Sequence, residues 1–155
     1  MTTRLQIIGI FRSTNPTETM GIAFSQKALQ TRNISILYFT ALVWLINGLF
    51  CKVLNLVPRH QEIVARILGS GNAPTFTGLI GVAEIAMAIW ILSRFRPILC
   101  AALQIFIILL MNMIEFFLAP DLLLFGRLNL LFAVLFVLLI FYNEFVLTRK
   151  IQAAT

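Results

Sequence analysis

Four apolar runs, each about as long as a bilayer is thick, leave this chain few folds to choose from. They cover residues 34–56, 75–93, 97–118 and 128–147. A helix that crosses a bilayer needs roughly 17–25 mostly apolar residues, and each run fits. Hydrocarbon offers no water to backbone N–H and C=O groups, so such runs become helices. The sequence therefore predicts an all-α protein, a transmembrane four-helix bundle. Three regions are expected. Residues 1–33 form a cytoplasmic segment, mobile or interfacial, residues 34–148 the membrane domain, and residues 149–155 a C-terminal tail. The apolar stretch Leu5 to Phe11 is short, and no small-residue cleavage site follows it. The first span is thus expected to direct insertion itself.

Only 12% of the residues are charged, and the net charge is +6. The basic residues sit beside the spans, with no stripe interleaved with aromatics, which excludes nucleic acid as the expected partner. Their distribution instead orients the bundle. Arg4, Arg12, Lys27, Arg32, Arg94, Arg96, Arg149 and Lys150 fall on one side, and Lys52, Arg59, Arg66 and Arg127 on the other. The eight-to-four bias puts both termini in the cytoplasm, in a bacterial inner membrane. Tyr38, Trp90 and Tyr142 then form an aromatic belt at the inner interface. Cys51 and Cys100 fall near opposite ends of their spans, beyond the roughly 7 Å Cα separation that a disulfide tolerates. Both are expected to be packing residues.

Polar residues inside the runs carry the functional information. Glu84 lies amid the apolar stretch Phe76 to Trp90. A carboxylate at such depth costs about 2.5–3.5 kcal/mol on insertion scales, so it must face a partner, a cavity or a ligand. Gly78, Gly81 and Glu84 recur every three residues and suggest a small-residue stripe facing a neighbouring helix. Span one carries Asn47, Gly48, Lys52 and Asn55, and Pro58 is expected to end it. Residues 59–69 then alternate in the manner of a short amphipathic surface helix stopped by Gly69. Span three closes with Asn112 and Glu115 on one face. Span four opens with Arg127 and Asn129.

Depth joins these residues. Spans one and three run outward, and two and four inward. Lys52, Asn112, Glu115, Arg127 and Asn129 therefore share the outer half with Glu84, while Arg59 and His60 stand just above. The inner half, Gln104 apart, carries little comparable polarity. Two readings are open. The cluster can be a buried network in which Lys52 or Arg127 neutralises Glu84 or Glu115. It can equally be a polar pocket that binds a ligand through Lys52, Arg59, His60, Glu84, Asn112, Glu115, Arg127 and Asn129. One histidine and two distant cysteines do not make a metal site.

The run Trp44 to Gly69, with Asn47-Gly48, Lys52, Asn55 and Pro58-Arg59-His60, resembles the DoxX-like family of small membrane proteins. So do Gly81-Val82-Ala83-Glu84, and Asn112 to Glu115 followed by Ala119-Pro120-Asp121 and Gly126. The resemblance implies a four-span bundle. It also implies an accessory role in a membrane redox or envelope-maintenance complex, since the founding member accompanies a quinone-linked sulfur oxidoreductase. No residue here would carry thiosulfate chemistry. The expected function is non-catalytic: binding of an amphipathic small molecule, a quinone or a lipid, or of a partner subunit. The alternatives are a quinone-using oxidoreductase subunit with Glu84 or Glu115 carrying protons, and a small transporter. Expected partners are membrane lipids and either a membrane protein or a second copy of the chain.

The topology is tested by thiol labelling of Ser70→Cys and Thr155→Cys in a background free of other cysteines. In intact cells an impermeant reagent should label position 70 and spare position 155. Labelling of position 155 from outside would invert the bundle.

Overall fold

The computed structural model describes residues 16–123 and 128–153, and among these there is no strand. Four helices are long and apolar enough to cross a membrane. The first, α1 (Pro16–Leu45), begins well before the expected residue 34. Pro16 suits a helix start because its ring fixes φ and the first N–H is unpaired anyway. Residues 16–33 are thus helical and continuous with the span. The first fifteen residues lie outside the described part.

α1 runs directly into a π-helical segment, π1 (Ile46–Val53). There the Leu54 N–H bonds the carbonyl of Leu49, five residues back, at 2.8 Å. The span ends at Val53 rather than at Pro58. Asn55 turns the chain out with φ 50°, a left-handed conformation that its short polar side chain tolerates. The amphipathic helix forms as expected: α2 (Arg59–Leu68) buries Ile63 and Val64 and ends at Gly69, whose φ of 92° excludes most side chains.

α3 (Ala73–Ser93) and α4 (Pro97–Leu118) are joined by the tight reversal Arg94–Arg96, with both arginines left-handed. Pro97 then starts α4, and Pro74 sits in the first turn of α3. A short 3-10 turn, Pro120–Leu122, leads away from α4. The last span is α5 (Leu128–Phe141), a second π-helical segment π2 (Tyr142–Leu147), and α6 (Thr148–Ala153).

Each span turns large apolar side chains outward. Phe39, Leu79, Val82, Ile89, Phe106, Leu131 and Leu138 are all more than half exposed. In water that surface would aggregate; in lipid it is the solvated face. The interior is thin and built of small or shape-fitting groups. Ala41, Trp44, Met87, Ala88, Ile91 and Cys100 form its apolar centre. Trp44 donates its indole N–H to Gln104 at 3.1 Å, which satisfies both buried polar groups. Cys51 and Cys100 are both free.

α1 and π1 pack mainly on α3, and α4 mainly on α5. Among the described residues the first span and α4 do not come into close backbone contact. α2 crosses one end of the bundle, touching α3, α4 and π1.

The tightest crossing is glycine on glycine. A Cβ added to Gly48 would lie 2.6 Å from the carbonyl oxygen of Gly81, and one added to Gly81 would lie 2.7 Å from that of Gly48. The buried stripe of α3 is Ala73, Thr77, Gly81, Glu84, Ala88 and Ile91, the spacing of a 3.6-residue period. Gly78 falls off it, and nothing lies within 4 Å of its would-be Cβ. The expected Gly78–Gly81–Glu84 stripe is therefore corrected to one that omits Gly78.

Gly48→Ala or Gly81→Ala is expected to lower stability by about 1–3 kcal/mol, the usual cost of overpacking. Gly78→Ala should be neutral or slightly stabilising. Thermal unfolding of the three variants in one detergent checks this. Equal effects at positions 78 and 81 would contradict the crossing.

Candidate functional site

Lys52 comes from the last turn of π1 and Glu84 from the middle of α3, one turn beyond the glycine crossing. The close backbones let a short reach suffice. Lys52 Nζ donates to Glu84 Oε1 at 2.7 Å and to Oε2 at 2.8 Å. Both residues are buried, at 8% and 7% exposure. Each charge thus has its counter-charge inside the protein.

Beside this pair lies a cavity of about 310 Å³. It fills the gap between the first span and the α4–α5 pair. At one end its wall carries Asn47, Lys52, His60, Glu84, Asn112, Glu115 and Asn129. At the other it carries Val43, Ile107, Ile108, Phe132, Ala133 and Phe136. A second, more apolar cavity of about 180 Å³ lies under α2, lined by Ile63, Val64, Ile67, Leu68, Ile80 and Ile114. Lys52, His60, Met111 and Glu115 belong to the walls of both.

Glu115 is half-buried and has no hydrogen bond or ion pair to its carboxyl group among the described residues. Lys52, Glu84 and Arg59 all lie close enough to act on it electrostatically. Asn47 and Asn112 turn their amide nitrogens back to the carbonyls of Val43 and Ile108, at 3.0 and 2.9 Å. His60 is neutral. Its burial, with the nearby charges of Lys52 and Arg59, pushes its pKa down to about 4. An ion pair from Arg66 to Asp121 ties α2 to the turn after α4. This bond holds the Asp121 carboxyl below its usual range. The tie is exposed, so it positions α2 more than it stabilises it.

Of the eight residues singled out in the sequence, six line one cavity: Lys52, His60, Glu84, Asn112, Glu115 and Asn129. Arg59 stands beside it without lining it, and its buried Nε finds no acceptor among the described residues. Arg127 lies outside the described residues. Asn55, noted as polar in span one, is exposed on the turn. Sequence reasoning passed over Trp44, Asn47 and Met111 as parts of the wall. Asn47 was visible, one turn before Lys52 on the same helix.

The other end of the bundle corrects the expectation that it carries little polarity. Arg94 donates to the buried Glu144 at 3.0 Å. Asn33 donates to Asn143 and to Thr148, both at 3.1 Å. Arg32 stacks over Tyr142 at 5.7 Å. Glu144 sits inside the last apolar run, a signal as plain as Glu84 but closer to the run's end.

The model of the DoxX-like family matches residues 41–142. The chain belongs to the DoxX-like family. No curated protein and no solved structure matches it. The DoxX-like segment contains every residue that lines the two cavities, together with the glycine crossing and α2. It leaves out most of α1 and all of α6.

Breaking the Lys52–Glu84 pair from one side should cost about 3–5 kcal/mol, because a buried charge is left alone. Lys52→Met and Glu84→Leu are therefore each expected to unfold the DoxX-like protein at much lower temperature. The double variant should recover most of the loss. Additive losses in a double-mutant cycle of detergent melts would show that the two side chains do not depend on each other.

Proposed function

We propose that this DoxX-like protein holds an amphipathic small molecule, a quinone or a lipid, in the cavity beside Lys52 and Glu84. The reading rests on the polarity gradient within one cavity. Its polar end gathers groups from the first span, α2, α3, α4 and α5, and its other end is aliphatic and aromatic. At about 310 Å³ it lies at the small end of ligand sites, enough for a head group and the start of a tail. The ligand's polar end would meet Asn112, Glu115 and His60, with Asn129 beside them. Lys52 and Glu84 would form a neutralised wall, and Arg59 would stand at the mouth.

The role in this reading is binding rather than catalysis. The protein would serve as an accessory component of a membrane redox or envelope-maintenance complex. The basic-residue bias supports a bacterial inner-membrane location with both termini in the cytoplasm. The cavity would then open toward the outer leaflet. One observation favours a second reading, a quinone-linked oxidoreductase subunit: Glu115 is a carboxyl group facing the cavity with no fixed partner among the described residues, as a proton carrier would be.

Native mass spectrometry of the protein in mild detergent tests the first reading. A retained amphiphile is expected on the wild type. It should be lost from Ala133→Phe, which fills the apolar end, while the melting temperature stays within a few degrees. An adduct unaffected by that substitution would place the binding elsewhere, and no adduct on either protein would refute the proposal.

A further inference from the structure

The two cavities meet at a corner. Lys52, His60, Met111 and Glu115 belong to the walls of both. Three of these four are polar, and apolar surface leads away from them on two sides. One arm runs between the first span and the α4–α5 pair, past Ile107 and Ile108 to Val43 and Phe136. The other runs under α2, between Ile63, Val64, Ile67 and Leu68 on one side and Ile80 and Ile114 on the other. α2 lies across the end of the bundle, so the two arms diverge. The corner itself is adaptable. Lys52 is held by Glu84, but Met111 is unbranched and soft, and the Glu115 carboxyl has no fixed partner among the described residues.

We infer that the site takes a two-chain amphiphile, a lipid seated with its head at the corner and one acyl chain in each arm. This rests on the proposed amphiphile site and names its ligand class. A single-chain amphiphile, a quinone with one isoprenoid tail included, follows one arm and leaves the other empty. An empty apolar arm stays dry, and the side chains that line it go without contacts. The arm under α2 holds about 180 Å³, the space of roughly six groups of about 30 Å³, a water's share of the liquid and close to that of a methylene. It thus suits a short length of chain near the head. Once head and first chain are seated, the second chain is already at the mouth of its arm, so its burial adds affinity at little further cost in freedom.

Two probes with the same head and the same amount of acyl chain separate the possibilities. Dihexanoyl phosphatidylcholine carries its acyl carbons in two chains, and dodecanoyl lysophosphatidylcholine carries as many in one. Each is titrated into the delipidated protein below its micelle concentration, with native mass spectrometry as the readout. The two-chain probe should bind about tenfold more tightly. Ile67→Phe from α2 and Ile114→Phe from α4 fill the second arm from opposite walls. Each should weaken the two-chain probe about tenfold and leave the single-chain probe within about twofold, with the melting temperature within a few degrees of wild type. Ala133→Phe, in the first arm, should weaken both probes. If the single-chain probe binds as tightly as the two-chain probe, or if Ile67→Phe and Ile114→Phe leave the two-chain probe unaffected, the second arm takes no chain and the inference is overturned. The amphiphile site still stands in that case, provided that Ala133→Phe weakens binding. If neither probe responds to Ala133→Phe, the site itself is refuted.

Discussion

An ammonium and a carboxylate can be kept in the interior of a membrane protein only if they meet. Meeting requires the two backbones that carry them to run close together. In this chain that closeness is supplied one turn away, where Gly48 and Gly81 cross with no side chain between them. The Lys52–Glu84 pair then fixes how far the first span and α3 can slide or rotate against one another. With those two helices committed to each other, and α4 committed to α5, a gap is left between the pairs. The cavity is that gap. Its polar end is polar because the pair and its neighbours form the wall, and α2 lies across it because its apolar face has nowhere else to go.

α3 does more than carry one carboxylate. It offers Glu84 to π1 and, at its far end, Arg94 to π2. Each partner, Lys52 and Glu144, lies in a π-helical segment. A π turn inserts an extra residue into the helix and re-aims the side chains around it, and such turns recur at functional positions. The two departures from regular α-helix here coincide with the two buried charges that α3 must reach. The ionic bonds of the bundle thus radiate from one helix to the first and last spans.

The number of spans, their approximate bounds, α2 and its stop at Gly69 were all legible in the sequence. Apolar length and helical period are strong signals in a membrane protein, where the backbone has no alternative to a helix. The meeting of Lys52 with Glu84 was legible as one of several pairings, because depth can be counted along the chain. What the sequence withheld depends on rotation rather than depth. Gly78 and Gly81 look equivalent at three-residue spacing, yet only Gly81 falls on the stripe that passes through Thr77 and Glu84. The π turns leave no mark of their own on the pattern, since Asn47, Lys52, Asn143 and Glu144 within them read as polar residues of an ordinary span. Glu144 was missed because a charge near the end of a run is easily taken for the membrane surface. The structure instead buries it against Arg94.

The spacing of the central pair along the chain has a consequence for how the protein is made. Lys52 precedes Glu84 by 32 residues, so the cation is synthesised first. During that interval the first span carries an ammonium with no counter-charge, and it is poorly suited to plain lipid. α3 arrives with the opposite defect. Each segment is apolar enough to cross a membrane alone, and each is freed of an unmatched charge only when the two meet. A chain cut short between them would display an unmatched charge, a mark by which an incomplete copy differs from a finished one.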